Sequence, residues 1–140
     1  MRMRRPAAIA VAAPALVVLV VLRVLANGSD VPDNAALAAA VAGHQAEEVT
    51  VQGQVTALLP DSVGSDGTHE RFDVDFGGGL IVEIDHNTTL APRVPVTRGT
   101  TVLVHGQFEP DPGHPIIHYT HHATGTHPGG WIEVAGRRYQ

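Results

Sequence analysis

A chain of 140 residues has room for one domain, and beyond an apolar N-terminal stretch enough remains for a single core. It contains no cysteine, which excludes disulfide scaffolds, thiolate zinc sites, cysteine nucleophiles and a lipid-modified cysteine together; any metal would be held by histidine, carboxylate or carbonyl. The formal charge of -5 hides an asymmetry, because four of the nine arginines precede Asn27 and the rest of the chain sets five arginines against fourteen acids, a net -9 that argues against nucleic acid as a partner.

Residues 1 to 26 read as an export segment. Arg2, Arg4 and Arg5 precede an apolar run of about 16 residues, and Val24-Leu25-Ala26 offers a cleavage site for a signal peptide. The competing reading is an uncleaved membrane anchor over residues 6 to 26. Either reading places the remainder outside the cytoplasm, secreted or anchored. Residues 27 to 47 read as a linker and a short helix over residues 34 to 44, capped by Asp30 or Asp33 and stopped at Gly43, with Leu37, Ala38 and Val41 on its packing face.

From Glu48 the hydrophobic period becomes two. Val49, Val51, Gly53, Val55, Ala57 and Leu59 predict a long strand, followed by a loop over residues 60 to 67. Phe72, Val74 and Phe76 predict a second strand, Gly77-Gly78-Gly79 a turn, and Leu80, Val82 and Ile84 a third. Residues 85 to 99 read as an irregular connection. Val102, Val104, Gly106 and Phe108 predict a fourth strand, residues 116 to 122 a fifth, and residues 131 to 134 with 138 to 140 a terminal hairpin or extension. The expected fold is all-β: a small five- to six-stranded barrel over residues 48 to 140, resembling the oligonucleotide/oligosaccharide-binding (OB) type, preceded by one short helix.

The chemistry concentrates near the C-terminus. Five of the nine histidines, the one tryptophan and one of two tyrosines fall in residues 114 to 131. His118, His121 and His122 would share a face on a helix, but their β-branched neighbours favour extended chain. On a straight strand His118 and His122 would lie about 13 Å apart, too far to share an ion. A metal site, with zinc the natural divalent ion, would therefore use His121 or His122 with His127 folded back by Thr124-Gly125-Thr126. The alternative is a hydrogen-bonded network of imidazoles and threonines that closes the sheet.

Other candidates are His69 or His86 as a general base, with Glu70, Asp85 or Glu109 as acid or orienting partner, the minimum for hydrolysis of a phosphodiester or glycoside. No Gly-x-Ser-x-Gly nucleophile motif occurs, and the glycine triplet lies between strands rather than before a helix. Tyr119 and Trp131 can stack on a ligand, and Arg71 and Arg93 can contact anions. The leading expectation is an exported, non-enzymatic binding domain with Arg93, Tyr119, His121, His122, His127 and Trp131 on its recognition surface. Its partner would be an envelope or extracellular protein, peptide, glycan or cation. A histidine-dependent, metal-binding hydrolase of phosphodiesters, using the same histidines with Glu70 or Asp85, is the alternative, and a structural role in envelope assembly is a third.

The blocks His69 to Phe72, His86-Asn87, Leu90-Ala91-Pro92-Arg93, Thr120-His121-His122, His127-Pro128-Gly129-Gly130-Trp131-Ile132 and Tyr139-Gln140 resemble a bacterial family of small exported proteins known as domain of unknown function 3465. The likeness spans roughly residues 49 to 140 and brings no reaction with it. The family pattern carries an acidic residue and a proline after the histidine pair, where this chain has Ala123 and Thr124, and tryptophan at the position of Tyr119. If that carboxylate ligates a metal or orients a histidine, the resemblance implies that this chain lacks it.

Overall fold

The computed structural model describes residues 30–140; the expected signal peptide or anchor lies outside the described residues. Helix α1 (Asn34–Gly43) begins where Asp33 accepts a hydrogen bond from Ala36 N at 3.0 Å. It ends at His44, whose left-handed φ of 51° lets its N–H reach back to the last turn, so the stop falls one residue beyond Gly43. Leu37 and Ala40 are buried and Val41 half-buried, whereas Ala38 faces solvent. The packing face is therefore rotated slightly from the expected one.

Seven strands follow: β1 (Glu47–Gly64), β2 (Gly67–Asp75), β3 (Ile81–Asn87), β4 (Thr101–Glu109), β5 (Ile116–His118), β6 (Trp131–Val134) and β7 (Arg137–Tyr139). The first five form a closed ring in the order β1-β2-β3-β5-β4, because the N-terminal half of β1 pairs with β4 and its C-terminal half with β2. Ring pairs are antiparallel except β3 with β5. Strands β5 and β6 share one edge of β4 in succession, and β7 pairs with β6 outside the ring.

Alternation fills the interior. Val49, Val51 and Val55, Phe72 and Val74, Val82 and Ile84, Val102, Val104 and Phe108, and Ile117 point inward and form one cluster with Leu37, Ile132 and Tyr139. Gly53 has no room for a side chain, since a Cβ there would lie 2.3 Å from the Asp75 carbonyl oxygen. At that point β1 passes from one partner to the other.

Three boundaries differ from the sequence reading. Strand β1 continues through Pro60, absorbed by an irregularity in register between Leu59 and Ser62, so the expected loop shrinks to a turn at Ser65-Asp66. Strand β3 runs on to Asn87, because Glu70↔His86 and His69↔Asn87 extend the ladder where the sequence loses its apolar alternation. Strand β5 stops at His118, because Tyr119 takes the left-handed φ of 55°, and residues 119 to 122 are not strand.

Candidate functional site

The turn at Tyr119 sends successive side chains to different places. Thr120 goes inward, fully buried, and its hydroxyl donates to His86 Nδ1 at 2.8 Å. This crossing passes over Gly106, where a Cβ would meet the His118 carbonyl oxygen at 2.6 Å, and beside Gly130, where one would meet the Tyr119 carbonyl oxygen at 2.1 Å. The two glycines thus let the segment after β5 lie directly on the backbone of β4 and the approach to β6.

Outside, the Tyr119 ring lies between two imidazoles. His118 stacks on it with centroids 3.8 Å apart, and His127 stacks on it at 3.9 Å. His121 stands edge-on to both, 6.4 Å from Tyr119 and 4.7 Å from His127. His122 is exposed and perpendicular to His121 at 5.8 Å. A main-chain bond from Gly130 N to His121 O at 2.7 Å holds the returning loop, and a small cleft of about 10 Å³ between Glu48, Gln107, Tyr119, His127 and Gly129 borders the stack.

Ring nitrogens fix the tautomers. His121 Nδ1 donates to the His122 carbonyl at 2.9 Å and His127 Nδ1 to the Pro128 carbonyl at 2.7 Å, which leaves Nε2 of each as the lone-pair nitrogen. Burial lowers the pKa of His121, helped by repulsion from His127, His122 and His69. Burial also lowers that of His118, against a contact from its Nε2 to Glu109 at 3.4 Å. Among the described residues no group of three or more His, Asp or Glu is arranged to hold a metal ion.

Trp131 lies elsewhere. It is 8% exposed, with His105 stacked at 5.7 Å and the Arg138 guanidinium 3.9 Å from its ring centre. Its faces are occupied within the chain. Sequence reasoning passed over His105, whose Nδ1 accepts from Thr50 at 2.8 Å and whose Nε2 donates to Glu48 at 2.7 Å. The available signal was its outward register on the predicted fourth strand, two residues before Gln107.

The remaining candidates gather at one end of the ring. His86 is fully buried, and its Nε2 donates to the Pro92 carbonyl at 3.0 Å while Nδ1 accepts from Thr120. Desolvation lowers its pKa. Glu70, its ladder partner, accepts from Val94 N at 2.8 Å and lies 3.5 Å from Arg93, yet burial still raises its pKa. Arg93 is also paired with Asp61. Asn87 bonds the Asp66 carbonyl at 2.9 Å and Thr89 N at 3.0 Å, tying two turns together.

His69 sits on the outer face between carboxylates, with Nδ1 2.8 Å from Asp85 and Nε2 3.2 Å from Asp66, neither contact aligned as a hydrogen bond. Arg71 is spent on Glu83, at 2.5 Å and 3.3 Å. The structure therefore brings Tyr119 together with His118, His121, His122 and His127. It keeps Trp131 with His105 and Arg138, and Arg93 with Asp61 and Glu70.

Neither the curated proteins nor the solved structures yield a match to this chain. A family model does match, over residues 18–140. With nearly the whole chain covered, the blocks around His69, His86, His121 and Trp131 have their context: the chain belongs to the family described as protein of unknown function, DUF3465.

Proposed function

We propose that this chain is an exported or membrane-anchored, non-enzymatic binding domain built on an OB-like barrel, with Tyr119, His118, His121, His122 and His127 as its recognition surface. The ring order β1-β2-β3-β5-β4, with β3 and β5 parallel, supports the OB-like reading of the five-strand ring. One observation carries the functional reading. Tyr119, a bulky residue, is held at a φ of 55°, a conformation that costs an L-residue about 1–2 kcal/mol, and what the strain secures is a half-exposed aromatic ring between two imidazoles.

The net charge of -9 beyond Asn27 favours a cation, peptide, protein or uncharged glycan over a polyanion. A hydrolase reading draws less support. His86 has both nitrogens engaged in the interior, and both nitrogens of His69 face carboxylates. Tyr119→Asn is the informative variant, since asparagine accepts the left-handed conformation and keeps the fold. Against arrays of envelope glycans and extended peptides, the full-length protein should bind at least one class that Tyr119→Asn binds at least tenfold more weakly, and neither protein should hydrolyse bis(p-nitrophenyl) phosphate. Turnover of that ester that disappears in His69→Gln or Glu70→Gln would refute the proposal.

A further inference from the structure

We infer that His121 and His127 form a two-imidazole site for a borderline-soft divalent ion such as Zn²⁺ or Cu²⁺, bound through their Nε2 atoms. This rests on the reading of the same surface as a recognition site and names a ligand for it. Three independent features point the same way.

Each ring gives its Nδ1 proton to a main-chain carbonyl, of His122 at 2.9 Å and of Pro128 at 2.7 Å. That outer bond is the one that orients a metal-binding histidine and leaves Nε2 as the donor atom. The spacing agrees as well. With nitrogen about 2.1 Å from an ion, two imidazoles on one tetrahedral centre have ring centres about 5 Å apart. Here the distance is 4.7 Å, with planes 80° apart. Finally, the rings are held before any ion arrives: Tyr119 covers one face of His127 at 3.9 Å, and His121 is 4% exposed and anchored through its carbonyl to Gly130 N.

Two protein ligands leave coordination positions open. Exposed His122, 5.8 Å from His121, can take one by a side-chain rotation, and water or a donor atom of an incoming molecule can take the rest. Such a site exchanges its ion readily, unlike a closed structural centre. Imidazole nitrogen selects Zn²⁺ and Cu²⁺ over Ca²⁺ and Mg²⁺, which require oxygen.

The test is calorimetric titration of the untagged full-length protein with ZnCl₂, CuCl₂ and CaCl₂. One equivalent of Zn²⁺ or Cu²⁺ should bind and Ca²⁺ should not. Affinity should fall at least tenfold in His127→Gln and in His121→Gln but stay unchanged in His44→Gln. Because His121→Gln can unfold the chain, the wild type supplies a second measurement: Zn²⁺ should shift the Nε2 resonances of His121 and His127 in long-range ¹⁵N–¹H spectra more than their Nδ1 resonances. Absent binding, binding indifferent to His127→Gln, or unshifted Nε2 resonances would each overturn the inference. In any of those cases, a ligand still lost in Tyr119→Asn would leave the broader proposal standing.

Discussion

Burial places His86, His118 and His121 below the ordinary histidine pKa of 6.5, so the fold favours their neutral forms. The stability these groups contribute is complete above 6.5 and is lost as pH falls below it, because the unfolded chain takes up protons first. Glu70 and Asp73 act in the opposite sense. Burial raises both, and their contributions are complete below the ordinary carboxyl values of 4.5 and 3.8 and are lost as pH rises. The interval between about pH 7 and pH 5.5 brackets the ordinary histidine value, so it is there that the unfolded chain takes up protons which the three buried rings resist. Unfolding free energy from urea titration should fall across that interval. His86→Gln should flatten the slope by up to one proton, about 1.4 kcal/mol per pH unit. A slope unchanged in His86→Gln would show that the buried ring does not couple to folding.

The residue scale is also where the sequence was least legible. Composition pointed to the histidines near the C-terminus, and the idea that His127 folds back towards His121 matches the 4.7 Å contact. What no periodicity could announce was Tyr119 in a left-handed conformation. That single dihedral angle ends β5, turns Thr120 inward and sets the two rings against the phenol. Gly106 and Gly130, ordinary in sequence, are the permissive residues for the crossing.

At the scale of elements, alternation located β2, β4 and the first half of β1, because their inward positions are apolar and their outward ones polar. It failed where polar residues face inward. Glu70 and His86 extend the β2–β3 ladder beyond the last apolar pair, and only their register reveals it. Pro60 misled in the same way, since it reads as a strand terminator but sits at an irregularity in β1. The β6–β7 hairpin turns on Ala135 and Gly136, with φ of 49° and 79°. Two positive angles are the two-residue turn that prefers Asn-Gly, and alanine is strained in its first position. Ala135→Asn should therefore stabilise the protein by about 0.5–1 kcal/mol, raising the thermal midpoint by several degrees. No rise, or a fall, would mean that the turn relaxes in solution.

For the whole molecule, the sequence already pointed to one β domain with a docked C-terminus. Tyr139 is 8% exposed and belongs to the same cluster as Leu37 and Ile132, and Arg137 lies over its ring at 5.2 Å. Removal of Tyr139 and Gln140 deletes a buried aromatic and the end of β7. The expected loss is about 3–5 kcal/mol, by analogy with truncating a core aromatic. Chemical denaturation of the truncated full-length chain measures it, and a loss under about 1 kcal/mol would show that the last strand is dispensable.

Arg138 bonds Asp30 at 3.1 Å while also holding Glu133 at 3.0 Å. The two ends of the described residues therefore lie at one spot. A short flexible peptide joining Gln140 to Asp30 would barely disturb the architecture, and new ends opened at the exposed Ser65-Asp66 turn would give a circular permutant with the same ring of strands.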